Sequence, residues 1–98
     1  MKRRVVFHPE AEEELNDSTS YYDAKSPGLG NVLLEDLERA IDQLIQYPES
    51  SPLVSKLVRR KPLRRFPYNI MYIVLPSAIR ILAVAHQKRR PFYWRGRT

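Results

Sequence analysis

The chain has 98 residues, with 17 lysines and arginines against 11 aspartates and glutamates, a formal charge of +6, and no cysteine. The lack of cysteine excludes a disulfide framework or a thiolate metal site, and no apolar run nears the ~20 residues that cross a bilayer. One domain over residues 1–98 is expected, in a soluble cytoplasmic protein, because the opening MKRRVVFHPEAEEEL has too short an apolar run for a secretory leader.

RRVVFHP reads as a first strand, with Val5, Val6 and Phe7 favouring extended backbone and Pro9 stopping it. Pro9 then suits the first turn of a helix, and Glu10, Glu12, Glu13 and Glu14 complement the positive end of its dipole. Ala11, Leu15, Ser18, Thr19 and Tyr22 recur on one face at helical spacing. KSPGLG breaks the pattern. A second helix is predicted from about Leu29 to Gln46, with Leu33, Leu37, Ala40, Ile41, Leu44 and Ile45 as its apolar stripe and Glu35, Asp36, Glu38 and Asp42 flanking it. YPESSP ends it, so the two helices form an antiparallel hairpin.

Strands follow. VSKLVRRKPL reads as a basic edge strand around Leu57 and Val58. NIMYIVL and IRILAVAH make a hairpin across PSA, apolar at odd and even positions alike, as for strands covered on both faces. The expected fold class is therefore α+β, a helical hairpin packed on a small twisted, mostly antiparallel sheet in the order β-α-α-β-β-β. Where the first strand rejoins the sheet is left open.

Charge divides along the chain. All eleven acids lie between Glu10 and Glu49, whereas residues 50–98 hold twelve lysines and arginines and no acid. The first half thus carries 5 − 11 = −6 and the second +12. Intramolecular pairing cannot neutralise the surplus, so a basic face remains for an acidic protein or a nucleic acid.

FHPEAEEEL, the YY ending the first helix, YPESSP, VRRKPLRRFPYNIMYIV and ILAVAHQKRRPFYW occur in an order and spacing that resemble the RelE/ParE toxin superfamily of type II toxin–antitoxin modules, closest to ParE-like plasmid stabilisation proteins. The resemblance implies one of two activities. RelE-like members cleave messenger RNA in the ribosomal A site without a metal; ParE-like members act on DNA gyrase and are not known as nucleases. It also implies a cognate antitoxin as partner, with gyrase, or the ribosome with its message, as target. No cofactor and no membrane partner are implied.

For a ribonuclease, something must activate a ribose 2′-OH, stabilise the phosphorane and protonate the leaving oxygen. Arg65, two residues before Pro67-Tyr68, matches the arginine that RelE-like nucleases use to hold phosphate, and many ParE-like relatives keep one there too. His86 stands near a histidine of some RelE-like nucleases, yet equally fits a ParE-like strand ending. Tyr93 is the positional candidate for their C-terminal aromatic. Arg65, His86 and Tyr93 are thus the catalytic candidates if the chain is RelE-like. Only Lys56 and Lys61 are available for the nuclease lysine pair, at an unconvincing spacing, and no carboxylate past Glu49 could act as base. His8 reads as a helix-entry residue, and no metal site is expected.

Arg59, Arg60, Arg64, Arg65, Arg89, Arg90 and Trp94 are the partner-binding candidates. The basic residues suit an acidic antitoxin segment. In RRPFYWRGRT the aromatics could stack on bases, anchor an interface, or, for Trp94, staple the tail to the body. The sequence is read as that of a ParE-like gyrase inhibitor; the alternatives are a RelE-like endonuclease and a non-toxic antitoxin-binding remnant.

Overall fold

The computed structural model describes residues 3–97. Strand β1 (Arg4–Phe7) runs into His8, which stays extended and caps helix α1 (Pro9–Lys25). Its Nδ1 accepts the N–H of Glu10 at 3.1 Å, satisfying one of the donors that a helix start leaves free. Pro9 occupies a first-turn position where a missing N–H costs nothing. The helix ends at Ser26, whose N–H bonds Tyr22 O.

Helix α2 (Leu29–Gln46) starts without a side-chain cap of its own, because its N-cap is Gly28 at φ 89°. Asp23 of α1 supplies the cap, accepting Gly30 N–H at 2.8 Å. The helices touch at Gly30, where a Cβ would lie 2.7 Å from Thr19 O. Leu33, Leu37, Ala40 and Leu44 are buried, as the stripe required.

The remaining strands are β2 (Val58–Pro62), β3 (Tyr68–Val74) and β4 (Ala78–His86), and the sheet order is β1-β4-β3-β2. The strand left unplaced by the sequence returns beside β4 in parallel, Arg4 opposite Ala78 and Phe7 opposite Ile81. The other two pairings are antiparallel. Strand β2 starts just after Leu57, which is exposed rather than central to it. Its outer edge is covered by Pro52 and Val54, through Arg60 N–H to Pro52 O at 3.1 Å and Val54 N–H to Val58 O at 2.8 Å. It closes in Pro62, which has no N–H to offer a neighbour.

The register between β3 and β4 shifts at Met71/Tyr72, where Leu82 has no opposite number. This bulge changes the phase of the pleat. Ile79, Ile81 and Val84 face the helices with Tyr72 and Ile70. Leu82, Ala83 and Ala85 face away, with Val58, Met71 and Trp94. The second cover that the apolar strands demanded is therefore the C-terminal segment.

Tyr72, fully buried, donates its hydroxyl to Pro48 O at 2.8 Å and so ties the sheet to the turn after α2. Tyr72→Phe is expected to cost about 1–2 kcal/mol, the price of one buried acceptor left bare. A urea midpoint unchanged from wild type would show that the carbonyl finds water instead.

Candidate functional site

The pairing of β1 with β4 ends at Phe7, after which His8 N–H makes a last bond to Ile81 O at 2.8 Å. Beyond that point side chains replace the missing strand. Glu14 of α1 accepts Val84 N–H at 3.0 Å, and Arg97 donates to Leu82 O at 3.0 Å. The same two side chains pair with each other, Arg97 Nη1 and Nη2 lying 3.1 and 3.0 Å from the Glu14 oxygens. Tyr93 OH donates to Glu14 Oε2 at 2.8 Å. One carboxylate thus holds the helix, the bare strand edge and the tail together.

Burial pushes the Tyr93 phenol well above its ordinary pKa, and the hydrogen bond to Glu14 and its charge push it further, against Arg89 and Arg97. Arg89 lies over the Tyr93 ring at 3.9 Å and Arg97 at 5.1 Å, so two cations stack on this aromatic. Of the twelve cations in the second half, Arg97 alone is in an ion pair among the described residues. The surplus inferred from charge is left on the surface.

On the sheet face away from the helices, a groove of about 170 Å³ gathers Arg60, His86, Arg89, Arg90, Tyr93 and Trp94, six of the candidates. No carboxylate lines it. His86 Nδ1 accepts Lys88 N–H at 3.0 Å, leaving Nε2 for a partner. Its ring sits edge-on to Tyr68 at 5.1 Å. Trp94 is 6% exposed and packs in the second core, while Phe92 beside it is 40% exposed. Phe92 has φ 59°, a conformation that costs most non-glycine residues about 1 kcal/mol or more.

Arg65 is not among the residues lining this groove. It and Arg64 sit exposed in the turn between β2 and β3, held through their backbones. Asp36 accepts Arg65 N–H at 2.7 Å and Arg64 N–H at 3.3 Å, and also pairs with Arg39 at 2.8 Å. Burial would raise the Asp36 carboxyl, yet the hydrogen bonds from Arg39 and from the Arg65 and Arg64 amides win and hold it below its ordinary value. Arg59 points elsewhere, to Ser51 O at 2.7 Å and Glu49 O at 3.1 Å. Of the three catalytic candidates, His86 and Tyr93 therefore share a groove and Arg65 lies outside it. No group of three or more histidines and carboxylates among the described residues could hold a metal.

Glu14 and Asp36 were not singled out from the sequence. A signal existed for both. Glu14 falls three after Ala11 and four before Ser18, and Asp36 three after Leu33 and four before Ala40, so each carboxylate sits on a buried helix face.

Residues 5–91 match the family described as ParE toxin of type II toxin-antitoxin system, parDE. No curated protein matches the sequence at a significant level. Among solved structures, the chain is similar to one from the chromosomal ParDE TA system from P. aeruginosa, with a TM-score of 0.75 at 19% identity, covering 87% of this chain and 96% of that one. The β-α-α-β-β-β order and the mixed four-stranded sheet agree with that likeness. With the family matched over nearly its whole length, the chain belongs to the ParE toxins and is the toxin component of a type II toxin–antitoxin system.

Proposed function

We propose that this toxin acts by binding DNA gyrase rather than by cutting RNA, and that a cognate antitoxin neutralises it by covering its basic surface. The observation carrying this reading is the engagement of Tyr93. Its hydroxyl is bound to Glu14 and its ring lies under Arg89, so the aromatic that a RelE-like mechanism would use has its proton already committed. Arg65 stands outside the groove that holds His86, and no carboxylate there could serve as base. Within that groove, then, neither Arg65 nor a carboxylate stands beside His86. The concentration of arginines suits the acidic surface of a protein, for which charge sets the association rate.

The test is brief induced expression in bacteria lacking the antitoxin. Trapped gyrase–DNA cleavage complexes with intact messages are expected. Codon-positioned cuts in translated messages would instead establish the endonuclease reading, and normal growth would mark a non-toxic remnant.

Arg64 and Arg65 project from a turn fixed by backbone amides, so their side chains, unpaired among the described residues, are open to a partner and dispensable for the fold. The double change Arg64→Glu, Arg65→Glu is expected to weaken antitoxin binding by more than about tenfold with little change in melting temperature. Unchanged affinity by calorimetry would remove this corner from the interface.

A further inference from the structure

The acids of this chain all belong to the two helices and the turn after them, ending at Glu49, so the four strands carry none. Arg60, opposite Met71, and Arg80, alternating with the helix-facing Ile79 and Ile81, point to the outer face of the sheet. The segment after β4 brings Arg89 and Arg90 to the same groove as Arg60. Arginines alone would suit an acidic protein equally well; Phe92 decides otherwise. It lines the groove with its ring 40% exposed, whereas an aromatic serving only the core would be covered like Trp94 at 6%. The turn around it is closed by Arg95 N–H to Phe92 O at 2.9 Å. Its ring lies 5.6 Å from that of Trp94, and the Arg95 guanidinium 5.1 Å from its centroid. A backbone in the left-handed region thus presents an apolar ring at an opening lined by arginines.

We infer that this groove holds an unpaired stretch of DNA, one base stacked on Phe92 and the neighbouring phosphates on Arg60, Arg89 and Arg90. Every base has a flat face for an exposed ring, and guanidinium forks match phosphate oxygens. The groove's 170 Å³ falls below the roughly 300–1,000 Å³ of small-molecule sites, which suits one base of a strand lying across it. A duplex keeps its base faces inside the stack and offers nothing to Phe92. The strand is held and not cut, because Tyr93 keeps its proton on Glu14 and no carboxylate lines the groove. The inference rests on the gyrase reading above in one respect. An enzyme that opens DNA presents unpaired strand to a protein seated on it, so DNA rather than RNA is the strand met.

The test is fluorescence anisotropy of the full toxin with a labelled oligothymidylate of about 12 nucleotides, beside the matching RNA and duplex, over a series of salt concentrations. The single strand is expected to bind, log K falling against log salt with a slope of about −2, as for three phosphates neutralised. Phe92→Asn removes the ring and tolerates the left-handed backbone; it is expected to weaken binding at least about fivefold with the slope kept, and Phe92→Tyr to retain affinity. Arg60→Ala and Arg90→Ala should each flatten the slope by about 0.7. Trp94, the sole tryptophan, lines the groove, so its emission should change on binding. Unchanged affinity in Phe92→Asn overturns the proposal and leaves the groove to an acidic protein surface. Tighter binding of RNA than of DNA overturns it too, and with cut transcripts moves the chain to the endonuclease reading. Trapped gyrase–DNA complexes from a toxin that binds no single strand would leave the gyrase reading standing and remove the groove's role. Strand binding that depends on Phe92, without trapped complexes, would do the reverse.

Discussion

Glu14→Ala is expected to lower stability by about 3 kcal/mol. The substitution deletes the acceptor of Tyr93 OH, of both Arg97 amino groups and of Val84 N–H at once. The Arg97 side chain is 11% exposed and Glu14 16%, so the cation left behind cannot recover full hydration. Breaking one member of a buried pair costs about 3–5 kcal/mol, and the residual exposure places this one at the lower end. For a domain of this size, roughly 4–8 °C is lost per kcal/mol, giving a fall of roughly 10–25 °C. Glu14→Gln, which keeps the shape and one acceptor oxygen, should recover part of the loss. Trp94 is the sole tryptophan and is buried by the tail that Glu14 holds, so its emission reports the site directly. A red shift preceding global unfolding is expected in the alanine variant. A melting temperature within about 2 °C of wild type would mean that the tail is held by Trp94 packing alone.

Asp36→Ala is the second large effect. The carboxylate is 4% exposed, and its removal strands two backbone amides and one guanidinium. About 2–4 kcal/mol should be lost near neutral pH. The folded-state pKa lies below the unfolded one, so the stabilisation is complete above about pH 4 and drains as the pH falls through the lowered value. The gap between wild type and Asp36→Ala in urea denaturation should therefore be constant from pH 5 to 7 and shrink below about pH 4. A gap that stays constant into strong acid would show that the amides do not depend on the carboxylate charge. The turn carrying Arg64 and Arg65 should also loosen, visible as faster amide exchange of those two residues at pH 7.

Both carboxylates show how far the sequence could be read. The two helices, their boundaries and the hairpin of β3 and β4 follow from periodicity and turn residues, because burial of an apolar stripe is written locally. Strand β1 was recognisable, but its neighbour was not, since four residues carry no signal for which edge they join. Leu57 was placed within a strand on its type, whereas the chain turns there and the strand begins at Val58. Glu14 hid in a run of glutamates that all suit a helix N-terminus, and Asp36 among flanking acids, although the spacing placed each on a buried face. Their partners come from segments 83 and 29 residues away, which no local pattern contains. The groove behaved similarly. Arg60 and His86 are far apart in the chain and become neighbours only through strand pairing, while Arg59, adjacent to Arg60, faces the turn after α2.

The closure of β4 by β1 and Glu14 also bears on synthesis. Glu14 meets Val84 and Arg97 across 70 and 83 residues, and β1 has no strand partner before β4 exists. A nascent chain that has emerged only through β3 holds two helices, the β2–β3 pair and an unpaired β1, with an unfinished core. Contacts this distant cannot reward folding until late in translation, because the closing loop spans most of the chain. The arginine corner at Arg64–Arg65 likewise gains its seat on Asp36 only after the helices have been waiting for it. A ribosome making this toxin therefore carries an unformed product for most of the message, and the poison acquires its surface when the last strand has left.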